Sequence, residues 1–158
     1  MDEVAIARAI HVLAVVLWMG GVGFVTTALL PALRRDAHSP EWLVAFEASE
    51  RRFAWQARVT TLLAGASGLY MVARLDLWHR FHQWSFWWMH AMVLLWLLFT
   101  LMLFVIEPLF LASWLRRRAE AAPADTFRLV ERFHRWALLL GLITIGAAVA
   151  GSHGVIFG

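Results

Sequence analysis

The chain of 158 residues has no cysteine, no lysine, four prolines and one tyrosine, and carries charge at only 16% of its positions. Without cysteine there can be no disulfide, no thiolate metal site, no iron–sulfur cluster and no covalent haem attachment. So little charge beside 61% apolar residues excludes an ordinary soluble domain. The basic residues are all arginine and lie at the ends of apolar runs, so the net charge of +3 reads as membrane topology and not as a nucleic-acid-binding face.

What is present is long hydrophobic runs. Four stretches, over residues 4–30, 53–72, 86–114 and 136–157, each have about the 20 mostly apolar residues needed to cross a bilayer. They use up most of the chain, so the expected fold is an all-α integral membrane four-helix bundle forming one transmembrane domain over residues 1–158. Asp2 and Glu3 give the first run an acidic start, and the run is long, which argues against a cleavable signal peptide. Ser39 followed by Pro40 predicts a helix start, and Asp125 is a candidate cap for the last helix. The second and fourth helices begin amphipathic and turn apolar, so their polar starts are expected to project into water.

Arginine sets the orientation. Eleven (34, 35, 51, 52, 58, 116, 117, 118, 128, 132 and 135) fall toward one side, against Arg8, Arg74 and Arg80 toward the side of both termini. The positive-inside rule puts the arginine-rich side in the cytoplasm and both termini on the periplasmic side of a bacterial inner membrane. Tryptophans fall near the same borders: Trp78, Trp84, Trp87 and Trp88 on the terminal side, Trp42, Trp55, Trp114 and Trp136 on the other. Interfacial anchoring accounts for them, leaving Trp18 and Trp96 in mid-span.

Glycines and alanines recur where helices would approach closely, at 20, 21 and 23, at 64, 65 and 68, and from 141 to 151. They read as helix packing or as room for a flat cofactor. Histidine separates these two more sharply. His11, His90 and His153 each lie a few residues to one helical turn or two from the periplasmic end of a different span. An imidazole within a span is costly and points to function, and three at one depth favour a cofactor or metal. A low-spin b-type haem takes two such nitrogens, and Arg8, Arg74 and Arg80 are available to its propionates. His11 with His90 is the first choice of axial pair. Copper is the competing ligand, from histidine together with thioethers such as Met71 and Met89. His38, His79, His82 and His134 read as solvated or interfacial. Glu107, before Pro108, reads as a structural partner of Arg58 or of Arg116, Arg117 and Arg118, with proton handling as the second reading.

The stretch from His11 through Trp18 to Gly20 and Gly21, followed by Pro31, resembles the first helix of the HemJ-type membrane proteins and the related CopD-like family. Glu50, Arg51, Arg52 and Phe53, then Gly68, Leu69 and Tyr70, are similar to the HemJ second helix, and Trp88 to Met92 to part of its third. The resemblance implies a small helical haem protein with His11 as a haem ligand, assigned in that family to protoporphyrinogen oxidation, while CopD-like members are linked to copper. Met92 stands where the HemJ family has lysine, and the Asn-Glu pair expected after Phe133, His134 and Arg135 is missing. The resemblance therefore carries haem binding and not the oxidase activity.

The expectation is a membrane b-type haem protein that transfers electrons near the periplasmic face, with a place as subunit or anchor of a larger redox complex. HemJ-like oxidation and CopD-like copper transport or tolerance are the alternatives. Expected partners are lipid, a quinone and redox subunits or a second copy, with no nucleic acid.

Overall fold

The computed structural model describes residues 2–155; residues 156 and 157 of the fourth expected span lie outside them. Helix α1 (Asp2–Phe24) continues through a π-helical turn (Val25–Leu29) into the short α2 (Leu30–Leu33). Helix α3 (Glu41–Arg74) is followed by two 3₁₀ turns (Leu77–His82 and Trp84–Phe86). Helix α4 (Trp87–Leu101) passes through a longer π-helical stretch (Met102–Leu111) into α5 (Ala112–Ala121), and α6 (Pro123–Ser152) is the last element described. No strand occurs among the described residues.

Both π-helical stretches belong to prolines. A proline brings no N–H to the helical ladder and crowds the preceding turn. Pro108 lies inside the second stretch, and Pro31 follows the first by two residues. Thr26 and Thr27 donate their hydroxyls to the carbonyls of Val22 (2.7 Å) and Gly23 (2.8 Å), the back-bonding that bends a helix.

The helix starts differ from expectation by small shifts. Ser39 accepts from the Glu41 N–H at 3.3 Å, but α3 begins at Glu41 and not at Pro40. Helix α6 begins at Pro123, whose missing N–H costs nothing at a first helical position. Asp125 thus sits in the first turn instead of capping it, paired with Arg128 and facing the positive end of the helix dipole.

The surface is inverted relative to a soluble protein. Leu13, Val16, Leu94, Leu109 and Phe110 are each at least 60% exposed, on three different helical segments. Contiguous apolar surface on this scale requires an apolar solvent. Three helical stretches among the described residues are long and apolar enough to cross a membrane: Glu3–Asp36, Trp84–Ala121 and Pro123–Ser152. Helix α3 is not among the three, because Gln56 and Arg58 interrupt its apolar part and its first turns are charged.

Inside, two cores form. One joins Trp18, Met19, Phe99 and Ala137 in mid-bundle, with Trp18 edge-on to Phe99 at 4.8 Å. The other, at the arginine-rich end, gathers Val25, Leu30, Trp42, Phe46, Phe127 and Val130. Trp42 is fully buried there, edge-on to Phe127 at 5.2 Å, so it is a core residue and not an interfacial anchor. Trp88 is also buried, against Gly151. Trp55, Trp84 and Trp136 are exposed, as anchors are.

The glycine faces are filled by side chains. Gly65 receives the Trp96 ring, Gly68 the His11 ring, Gly141 the end of Met19 and Gly151 the Trp88 ring. A Cβ on Gly65 would lie 2.5 Å from a rigid indole that also donates to the Thr61 carbonyl at 2.9 Å, whereas the flexible end of Met19 can move from Gly141. Nothing lies within 4 Å of a Cβ on Gly20. Thermal unfolding in detergent should therefore rank the variants: Gly65→Ala loses about 1–3 kcal/mol, Gly141→Ala loses less, and Gly20→Ala is neutral or stabilised by up to about 1 kcal/mol.

Candidate functional site

The three histidines expected at one depth have different surroundings. His11 of α1 points at α3: its Nδ1 lies 2.9 Å from the Ala64 carbonyl and 3.2 Å from the Ser67 hydroxyl, with its ring against Gly68. A carbonyl only accepts, so Nδ1 carries the proton and Nε2 presents its lone pair. Nε2 has no hydrogen bond among the described residues. A ring held this way through Nδ1–H is the usual second-shell arrangement of a ligating histidine.

His90 is exposed on α4, edge-on to Phe81 at 5.3 Å, and neither ring nitrogen has a hydrogen-bond partner among the described residues. His153 is exposed just beyond α6, its Nδ1 2.8 Å from the Val149 carbonyl. The three are not gathered into one metal centre: among the described residues no group of three or more His, Cys, Asp or Glu side chains could hold a metal ion. Of the arginines expected near them, Arg74 pairs with Glu3 (3.3 Å) and Arg80 lies over the Phe86 ring (4.9 Å). Arg8, one turn before His11, is exposed and makes no ion pair among the described residues.

A second site lies toward the arginine-rich end, where a cavity of about 540 Å³ opens between α1, α3, the α4–α5 segment and α6. Its walls are mostly apolar, with Trp18, Phe46, Phe53, Phe99 and Phe133 among them. Its polar groups are Glu47, Glu50, Arg51, Gln56, Arg58, Glu107 and His134. Arg58 has two partners across the bundle. Its guanidinium meets Glu107 at 3.2 Å and its Nε donates to the Leu103 carbonyl at 3.1 Å. In a π-helix the residue five positions on would donate to that carbonyl, and here that residue is Pro108. Arg58 thus supplies the donor that proline lacks and neutralises the carboxylate beside it.

Glu47 is held bidentately by Arg116, at 3.0 and 2.8 Å. Glu50 has no such partner, and burial first, then the charges of Glu107 and Glu47, push its carboxyl up to about 7. His134 is half-buried, with Phe46 and Phe133 edge-on at 5.8 and 5.6 Å and its Nδ1 2.9 Å from the Val130 carbonyl. It belongs to the bundle interior and not to a solvated border. Neither Glu47 nor Glu50 stands out as a site residue in the sequence, where Glu50 enters only through the HemJ resemblance; the signal for both is two acids three residues apart, on one helix face, at the edge of an apolar run.

The double role of Arg58 is testable. Arg58→Lys keeps the charge but not the fork, and the expected loss in thermal unfolding is about 1–3 kcal/mol. On a Pro108→Ala background, where residue 108 regains an N–H for Leu103, the same substitution should cost less. Equal costs on the two backgrounds would contradict the assignment.

Comparisons with protein-family models, with curated proteins and with solved structures find no match to this chain.

Proposed function

We propose that the chain is a four-span protein of the bacterial cytoplasmic membrane that carries b-type haem and passes electrons near the periplasmic face. The observation that carries this reading is His11: an imidazole within an apolar helix, oriented through Nδ1–H by the Ala64 carbonyl, with Nε2 left free. A lone pair kept unbonded inside a span is costly unless something ligates it.

Counting α3 as the fourth span rests on where its polar groups go. Gln56 donates to the Leu17 carbonyl at 3.2 Å and Arg58 to Leu103 and Glu107, while Leu62, Leu63 and Leu69 face outward. The two most polar side chains of its apolar part, Gln56 and Arg58, are thus satisfied within the bundle, as a helix at membrane depth requires. With four spans, the arginine excess sets the cytoplasmic side and both termini lie opposite.

His11 would hold the haem iron through Nε2, and His90, whose ring nitrogens have no hydrogen-bond partner among the described residues, is the first choice for a second ligand. His153 is left for a second ligand. Arg8, without an ion pair among the described residues and one turn toward the aqueous side, suits a propionate. Bound haem supplies a reversible one-electron store; the chain holds and orients it and keeps its surroundings apolar. A quinone or a redox subunit is the expected exchange partner.

Protein purified from membranes should show Soret and α-band absorbance and yield haem to pyridine extraction. His11→Ala should lose most of it and His90→Ala should shift the spectrum. Wild-type protein without haem, or His11→Ala protein with an unchanged spectrum, would refute the proposal.

A further inference from the structure

The cavity at the arginine-rich end is independent of the haem reading. We propose that it is a binding site for a lipophilic organic cation, whose charge pairs with the Glu50 carboxylate while its apolar body lies among the aromatic walls.

The size and shape come first. A cavity of about 540 Å³ falls within the range of about 300–1,000 Å³ that holds small molecules. It is formed by helices from all four parts of the bundle, and it is lined by aromatic side chains, whose faces attract cations.

Charge then selects the ligand. Among the described residues, every charged group facing the cavity can be accounted for by element. Helix α1 brings none. Helix α3 brings Glu47, Glu50, Arg51 and Arg58; the α4–α5 segment brings Glu107; α6 brings His134. Glu47 is engaged by Arg116, Glu107 by Arg58, and Arg51 is exposed. The Nδ1 of His134 is engaged with its own helix. Glu50 alone is a carboxyl with neither an ion pair nor a hydrogen bond among the described residues, and it feels the negative charge of Glu107 and Glu47. A bound cation relieves that repulsion. An anion would add to it, and a neutral apolar molecule would fill the walls but leave the carboxylate unbalanced. A bare metal ion lacks the ligand set, since no three His, Cys, Asp or Glu side chains converge among the described residues.

Protons compete with the cation for Glu50. Its carboxyl, raised to about 7, is charged at pH 8 and mostly neutral at pH 6, so a permanent cation should bind about tenfold more weakly at pH 6 than at pH 8.

The test is equilibrium dialysis of labelled tetraphenylphosphonium against the purified full chain at pH 6 and pH 8, with neutral triphenylphosphine oxide as competitor. Saturable binding that weakens about tenfold at pH 6 and resists the neutral competitor is expected. Glu50→Gln should bind at least about tenfold more weakly at pH 8 and lose the pH dependence, which separates Glu50 from His134; Glu50→Asp should retain it. Absent binding, pH-independent binding to wild type, displacement by the neutral analogue, or unchanged binding by Glu50→Gln would each overturn the proposal. If Glu50→Gln does not fold, the wild-type pH series and the competitor still decide.

Discussion

A polar group at membrane depth has no water to turn to, so it depends on a partner in its own helix or, tying the bundle together, on another. Here most of those partnerships run through α3. His11 of α1 reaches the Ala64 carbonyl, Trp96 of α4 reaches the Thr61 carbonyl, and Gln56 and Arg58 reach from α3 to Leu17, Leu103 and Glu107. The least apolar of the long helices is thus the one the others hold on to. Its small residues serve the same end, since Gly65 and Gly68 bring the Trp96 and His11 rings close to its backbone. Packing and hydrogen bonding, and not burial from water, are the forces available to a bundle whose outside is as apolar as its inside.

This arrangement divides the bundle into two working ends. Near the terminal side, α1 and α3 hold one imidazole with its Nε2 free. Toward the arginine-rich side, a cavity lies between the same two helices, the α4–α5 segment and α6, and the π-helical stretch at Pro108 leaves a carbonyl that Arg58 takes up. Each end uses a departure from regular helical bonding. At one end a histidine takes up a carbonyl already used within a helix; at the other an arginine takes up a carbonyl that proline leaves unbonded.

Composition and hydropathy were enough to read an all-helical chain with apolar helices of membrane-spanning length, three of them among the described residues, because 61% apolar residues in long runs admit few alternatives. Arg58 was legible as one of two candidate partners of Glu107, the other being the run Arg116, Arg117 and Arg118; the structure selects Arg58 and gives Arg116 to Glu47. Less legible was anything that depends on which face a residue presents. Trp42 and Trp55 both stand at the same border, yet one is fully buried and the other 69% exposed, because the amphipathic starts of α3 and α6 pack into a core of their own beyond the apolar spans. Glycines compatible with a cofactor turned out to seat tryptophan, methionine and histidine, a choice made by neighbouring helices and invisible along the chain. His11, His90 and His153 share a depth in the sequence, but depth says nothing of rotation about the helix axis, and only His11 turns toward a neighbouring helix. The cavity is hidden along the chain for the same reason: its acids are ordinary when read as helix-start charges.

The central proposal is that the free nitrogen of His11 ligates iron. Electron paramagnetic resonance of the oxidised protein, extracted from membranes and kept cold, reports the axial ligands of a ferric haem directly. A low-spin signal characteristic of two imidazoles, lost or converted to high spin in His11→Gln, is the expected result. A wild-type sample with no ferric haem signal, or one whose signal survives His11→Gln unchanged, would contradict it.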